Sequence, residues 1–408
     1  MWGQIRANRI RSAFLMVIMA ALLLLLGYVL GLYFFDSAIG GLIIAFIIWA
    51  FMALISYFQG DSILLSMAKA RKIGPDDAPR LYNVVEEIKI ASGLPKMPDI
   101  YIIDDPAPNA FATGRKPESA SIAVTTGLLQ RLNRDELQGV VAHEIGHIKN
   151  RDILFMIIAG VMLGSIVILA WYASRVMFYG ALSSGGGRRS SSRDSGGGAG
   201  QLIIIAVGLV LMILAPIAAQ LIYFAVSRKR EYLADASSAL YTRYPEGLAS
   251  ALEKIAAAPQ QLKSANQATA PMYIINPLHK EGRAATDLTS THPPISERVR
   301  ILRSMAGGAA YTNYEEAYER VKKGKTLLSK TEVSSVGVVG IREASVAPGG
   351  EIEPVAEKAA RSREASDLLL KMNKYRTVDC DCGARWKIPP GFKGDSIQCT
   401  RCGRNIKV

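Results

Sequence analysis

The sequence predicts a mainly α-helical membrane protein with four transmembrane helices, a cytoplasmic α+β domain and a small C-terminal zinc ribbon. Three observations predict this. The 408 residues contain four long apolar runs without a charge, two histidines four positions apart with a glutamate after the first, and four cysteines gathered in the last 29 positions.

The uncharged runs are Ser12 to Phe35, Ser37 to Gly60, Ile153 to Ser174, and Ser195 to Ser227, the last apolar from Leu202 to Val226. Each reaches the roughly 20 residues needed to cross a hydrocarbon core. The first run is too long for the apolar stretch of a cleaved signal peptide, and the second follows almost at once. The pair therefore reads as a membrane hairpin with Asp36 near its tip.

Basic residues at the span ends set the orientation. Arg6, Arg9 and Arg11 precede the first span, Lys69, Arg71 and Lys72 follow the second, and Arg228, Lys229 and Arg230 follow the fourth. Both termini and the 59–152 segment are thus expected in the cytoplasm. Arg188, Arg189 and Arg193, between spans three and four, fall on the outer side in this arrangement and count against it; they sit in a Gly/Ser-rich tract that reads as a flexible linker. The net charge of +13 comes partly from these anchors, so it argues little for nucleic acid.

Between spans two and three, Leu81, Val84, Val85 and Ile88 fall on one face of an expected helix. "DIYIID", "NAFATG" and "SASIAVTTGLL" are β-rich and separated by Pro and Gly, and read as strands. Asn133 and Glu136 form a capping box for a helix that carries the histidines and continues toward the third span. After span four, "SRKREYLADASSAL", "PEGLASALEKIAAA" and "PPISERVRILRSM" read as helices; beyond Gly307, helices are expected within "YEEAYERVKKGKTLL" and near Ala359 to Met372 in an otherwise linker-like stretch.

In "VVAHEIGHIKN" the helical repeat puts His143 and His147 on one face, one turn apart, so both imidazoles can meet one ion. Glu144 is placed to work on a water at that ion, the H-E-x-x-H arrangement of zinc peptidases. Zinc of this kind takes three protein ligands and keeps one position open. A third histidine six residues on is excluded, because Ile153 stands there. From Ile153 to Ser174 there is no acid, His or Cys, and Asp194 lies in the Gly/Ser tract. Glu231 is the first well-placed carboxylate and is assigned as third ligand, with Asp235, four residues on, accepting an imidazole N–H. Glu144 would accept the water proton and return it to the leaving amine.

"NAFATG", "HEIGH", "SRKREYLAD" and "THPPISERVRIL" occur in this order, and in this the chain resembles the HtpX-like membrane metallopeptidases, relatives of the CAAX-prenyl proteases, over about residues 1 to 305. The resemblance implies a gluzincin-type, single-zinc membrane endopeptidase acting in quality control of membrane proteins at the cytoplasmic membrane. It implies that His143, His147 and Glu231 bind zinc and that Glu144 is the base. It further implies that Asn109, Ala110, Phe111, Ala112 and Thr113 form an edge strand that holds extended substrate, that His292 donates to the oxyanion, and that Arg298 pairs with an acid. His279 belongs to no motif. The Gly/Ser-rich loop at 183–200 and everything past about 306 lie outside the common pattern. The expected division is a transmembrane hairpin over 1–58, peptidase parts over 59–152 and 227–305 around a transmembrane pair over 153–226, a linker over 306–375 and a ribbon over 376–408.

In the ribbon, Cys380 and Cys382 pair with Cys399 and Cys402. Reducing surroundings favour metal over disulfides, so four thiolates around a second, structural zinc are expected. The basic and aromatic residues around them suit a protein partner better than nucleic acid. The expected partners are therefore membrane lipid, polypeptides in or near the membrane, and a protein at the ribbon. A catalytically inactive membrane adaptor is the alternative reading, and the intact Glu144 argues against it.

Overall fold

The computed structural model describes residues 2–35, 37–183, 198–263, 272–275, 292–305, 307–327, 339–345 and 355–408. Asp36, most of the 183–200 loop with its arginines, and His279 lie outside the described residues.

Helices α1 (Trp2–Phe35) and α2 (Ala38–Met67) fold back on one another, with the Ser37 hydroxyl accepting from the Gly40 N–H at 3.1 Å as N-cap. They approach so closely that a Cβ on Gly41 would lie 2.4 Å from the Gly31 Cα. Only residues without side chains allow this spacing.

The polar domain begins with β1 (Arg71–Lys72), α3 (Pro79–Ser92), β2 (Asp99–Ile103), β3 (Ala110–Thr113), β4 (Ser121–Thr125) and α4 (Thr126–Arg131). The strands lie in the order β1-β2-β4-β3; β2 and β4 run parallel and β3 pairs antiparallel with β4 at the sheet edge. Leu81, Val84, Val85 and Ile88 of α3 are buried in the core beneath the sheet.

The histidine-bearing helix α5 (Arg134–Asn150) starts at Asn133 with both hydrogen bonds of a capping box. It does not run on into the next helix. Arg151 adopts a left-handed backbone (φ 56°), its N–H returning to the carbonyls of His147 and Ile148. Helix α6 (Asp152–Ser183) starts afresh from there. After the loop, α7 (Gly198–Thr242) is one helix of 45 residues, joining the apolar stretch to "REYLAD" without interruption. Among the described residues, three stretches are long and apolar enough to cross a membrane: Ala38–Ile55, Asp152–Arg175 and Met212–Thr242; α1 adds the shorter Met16–Leu32. Met19 and Leu26 of α1, Met162 and Ile166 of α6, and Met212 and Ala219 of α7 form one buried cluster.

Helices α8 (Pro245–Ala256) and α9 (Ile295–Arg303) complete the domain wall. The described parts of 306–375 do not run free of it. Helix α10 (Tyr311–Val321) buries Tyr311, Tyr314 and Ala317 in the domain core, and α11 (Val355–Met372) buries Ala365 and Leu368 there. Arg80 reaches Glu364 at 3.2 Å and Lys371 reaches Asp77 at 2.5 Å. Between these helices, Arg342 and Ser345 both bond Asp135 in the first turn of α5. Low hydrophobicity made this stretch read as linker; three tyrosines and a few aliphatic residues suffice to dock it.

Two hairpins end the chain, β5 (Arg376–Asp379) with β6 (Arg385–Ile388) and β7 (Ser396–Gln398) with β8 (Asn405–Lys407). Apart from α11, this last unit owns only a small apolar interior, with Ile388, Cys380 and Cys399 buried.

Candidate metal centre

Helices α5 and α7 cross at Gly146. A Cβ there would meet the Ser237 Cβ at 3.0 Å and the Ala234 Cα at 3.4 Å, so the glycine lets α7 lie directly on the histidine face. That contact brings Glu231 to the two imidazoles. His147 Nε2 is 3.2 Å from His143 Nε2 and 3.3 Å from Glu231 Oε1, and His143 Nε2 is 3.6 Å from Glu231 Oε2. All three ligand atoms lie within 4.8 Å of one another. Donors about 2.1 Å from a tetrahedral zinc stand roughly 3.4 Å apart, so the set fits such an ion. The donor chemistry fits too. Two ring nitrogens turned toward each other repel unless a cation or proton lies between them, and the buried Glu231 Oε2 has no hydrogen-bond partner.

Buried charges hold these side chains in place. His143 Nδ1 lies 3.0 Å from Asp235 Oδ1. The fully buried Arg298 grips Asp235 through Nε (2.9 Å) and Nη2 (2.6 Å), donates from Nη1 to the Ile274 carbonyl at 3.1 Å, and lies 3.3 Å from Glu231 Oε2. His292, also buried, has Nε2 3.7 Å from the same oxygen.

His147 is held by a residue the sequence reading passed over. Its Nδ1 is 3.1 Å from Asp152 Oδ2, and Asp152 Oδ1 accepts from Arg230 Nη1 at 2.5 Å. The Arg230 guanidinium lies over the Phe155 ring, 3.9 Å from its centroid. The signal was an acid just past the helix end. It becomes a partner of His147 only because Arg151 reverses the chain.

Electrostatics favour positive charge at the rings. Burial works against a charged His147, but hydrogen bonds to Asp152 and Glu231 outweigh it and push the group up to about 10. His143 is raised for the same reason, burial being outweighed by Asp235 and Glu231. A site that attracts protons this way also attracts a divalent cation. His292 is lowered, chiefly by burial. Glu144 is raised above its ordinary 4.5, mainly by burial, with the two imidazoles opposing; its Oε1 has no hydrogen-bond partner.

The predicted substrate strand is divided in its contacts. Asn109 donates from Nδ2 to the Ile275 carbonyl at 3.0 Å, and Ala110 accepts from the Ile274 N–H at 3.0 Å, so the chain's own 272–275 segment lies along that half of the edge. Phe111 packs edge-on against Tyr273. Thr113 donates to Asp61 of α2 at 3.0 Å. Ala112 lines the pocket that holds Glu144, His147 and Glu231.

The cysteines form a second group. Cys380 and Cys402 sulfurs are 3.5 Å apart, Cys382 and Cys399 sulfurs 3.6 Å, and all four are free thiols lying within 4.8 Å of one another. Four sulfurs about 2.3 Å from one zinc stand roughly 3.8 Å apart. Against desolvation, backbone N–H groups of Cys402 and Arg401 bring the Cys399 thiol down to about 6.

A group of candidate metal ligands on two packed helices, one of them continuous with an apolar stretch and the other followed by one after a reversal at Arg151, points to a class, the membrane metalloproteases. Within that class the sequence match is specific: residues 75–306 fit the profile of peptidase family M48, and the chain belongs to this family of zinc metallopeptidases. It is similar to proteins described as "Protease HtpX homolog". That of Dictyoglomus turgidum is 47% identical over 301 residues, covering 74% of this chain and 93% of that protein. That of Streptococcus gordonii is 44% identical over 305 residues, 75% of this chain and 100% of that protein. That of Pyrococcus furiosus is 45% identical over 300 residues, 73% of this chain and 96% of that protein. The crystal structure of S. mikatae Ste24p aligns with 74% of this chain and 67% of that one, at TM-score 0.40 and 20% identity.

Proposed function

We propose that the protein is a zinc-dependent endopeptidase that cuts misfolded membrane or membrane-proximal polypeptides on the cytoplasmic side of the cell membrane. The observation that carries this is Glu231 of α7 facing both imidazoles of α5 beside the unpartnered Glu144 Oε1. His143, His147 and Glu231 hold the ion. Zinc, when bound there, polarises the scissile carbonyl and makes water a nucleophile near neutral pH. Glu144 takes the proton of the attacking water and hands it to the leaving amine. His292 donates to the oxygen that gains charge. The Ala112 end of β3 offers its backbone to an extended chain, which suits loose sequence preference. Exposed Arg151 precedes α6, and exposed Lys229 follows the uncharged stretch within α7; both supply the positive charge expected of a cytoplasmic face. The proposed arrangement counts four spans: the three helices long and apolar enough to cross a membrane, and α1, of which the shorter apolar Met16–Leu32 is part.

The test uses detergent-solubilised protein and an unfolded membrane protein as substrate. A zinc chelator should reduce cleavage to background and added zinc should restore it. Cleavage that persists after the metal is gone would refute the assignment.

Asp235 and Asp152 fix the ring orientations of His143 and His147, so that both Nε2 atoms face Glu231. Asp152→Asn is expected to weaken zinc binding about 10–100-fold, read by chelator competition. An unchanged affinity would show that Asp152 serves only the packing of α6 against Arg230.

The four cysteines hold a second, structural zinc, which supplies folding free energy to a unit with little core of its own. Intact protein should contain two zinc ions, and replacing Cys399 and Cys402 by Ser should remove one while peptidase activity survives. Elemental analysis checks the count. The ribbon then serves as a module for a protein partner, held to the peptidase by α11.

A further inference from the structure

We infer that Lys322 and Tyr318 of α10 are positioning residues for the candidate metal ligand Glu231, acting through Glu297 and Tyr232; this rests on the metal-centre reading above. Helix α10 begins at Tyr311, beyond residue 306, where the family match ends. Its last turn nevertheless reaches the ligand-bearing turn of α7. Tyr232, the residue after Glu231, donates its hydroxyl to Glu297 Oε1 of α9. Lys322 Nζ donates to the other oxygen of Glu297 at 2.8 Å. The Tyr232 ring meets the Tyr318 ring edge-on, with 5.0 Å between centroids.

Helix geometry gives these contacts their effect. Successive helical residues point about 100° apart, so Tyr232 faces away from the imidazoles when Glu231 faces them. Glu231 Oε1 lies 3.3 Å from His147 Nε2 and Oε2 lies 3.6 Å from His143 Nε2. A rotation of α7 about its own axis would carry both oxygens off the rings. Arg298 resists that rotation at Asp235, and Glu297 resists it on another face, at Tyr232. The grip of Glu297 depends in turn on α10. Its side chain is 14% exposed and that of Lys322 21%, so the carboxylate is largely withdrawn from water and needs the cation. Tyr318 and Lys322 stand one turn apart on the same face of α10, so one reaches the ring and the other the acid. The helix is fastened to α7 a second time, where the Tyr311 hydroxyl lies 2.8 Å from Ser237 Oγ beside the crossing at Gly146.

The centre therefore draws on residues outside the part of the chain that matches the family. Without the Lys322 ammonium, the Glu297 carboxylate turns toward water and slackens its hold on Tyr232. Without the Tyr318 ring, the Tyr232 ring gains room to swing. Either change widens the range of positions that Glu231 samples, and a ligand that must be ordered on binding binds its ion more weakly.

The experiment titrates the full-length protein in detergent with a zinc chelator and follows retained zinc and peptide hydrolysis together. Hydrolysis marks which release belongs to the centre on α5 and α7, whatever the cysteines hold. Lys322→Met and Tyr318→Leu should each weaken that zinc by about 3–10-fold, less than the 10–100-fold of a residue that touches a ligand directly. Lys322→Arg and Tyr318→Phe keep the cation and the ring, and should release zinc as the wild type does. Glu297→Gln should weaken the centre as Lys322→Met does, and the two together no more than one alone, because they act along one path. Leu368→Ala is the control for general loosening. It opens a cavity in the same core, where α11 packs against α4, and should lower the unfolding temperature without moving the zinc release. Where Tyr318→Leu does not fold, the partly exposed Lys322→Met decides. Zinc release unchanged in Lys322→Met, or moved as far by Leu368→Ala, would overturn the positioning role. A zinc content that Glu231→Ala leaves unchanged would instead overturn the metal-centre reading, and the positioning role with it.

Discussion

Glu144→Gln should lower peptide hydrolysis about 100- to 10,000-fold, the usual contribution of a positioned base, and leave the zinc content unchanged. The amide keeps the size of the carboxylate and cannot take a proton from water. Glu144 stands outside the three-residue group that could hold the ion, so its loss should not release metal. It is only 2% exposed, and burial raises its pKa. The base works as a carboxylate, so activity falls as pH drops through its pKa; burial raises that pKa and a zinc ion bound beside it lowers it. Turnover of an unfolded membrane protein, measured across pH with zinc determined on the same samples, checks each part. Full activity in the variant would remove Glu144 from the mechanism; lost zinc would make it a structural residue instead.

Arg298→Ala should destabilise the fold by about 3–5 kcal/mol, the range for breaking a buried ion pair by removing one partner. Arg298 is fully buried and pairs with both oxygens of Asp235 while lying 3.3 Å from Glu231. Without it, Asp235 becomes a buried carboxylate with His143 beside it, and Glu231 loses the guanidinium 3.3 Å from its Oε2. The Ile274 carbonyl also loses its donor, which loosens the segment on the β3 edge. The expected readout is a lower unfolding temperature in detergent together with weakened zinc binding. Replacing both partners, with Asp235→Asn and Arg298→Met, should recover part of the stability but not the zinc affinity, since His143 then lacks its carboxylate. If the single variant unfolds like the wild type, the pair does not hold the site together.

The parts of this protein that were legible in sequence are those fixed within a few residues. The two imidazoles share a face because the helical repeat puts positions 143 and 147 one turn apart. The α5 capping box, the buried face of α3 and the apolar runs were legible for the same reason. Glu231 could be named only by eliminating other acids and on the strength of a family resemblance, and that elimination began at Ile153, one residue after Asp152. The helices expected near 314–328 and 359–372 occur as α10 and α11 with shifted ends. Their docking had no local signature, because a few aromatic and aliphatic contacts outweigh a polar composition.

Sequence by itself determined the candidate ligand types, the apolar stretches and the grouping of cysteines, because spacing and hydrophobicity act over one or two turns of chain. Tertiary structure alone decided that Gly146 lets α7 reach α5, that Arg151 turns Asp152 back onto His147, and that residues 272–275 lie along half of the predicted substrate strand. These depend on contacts between residues tens to more than a hundred positions apart, or on a single backbone reversal. No periodic pattern in the chain encodes either.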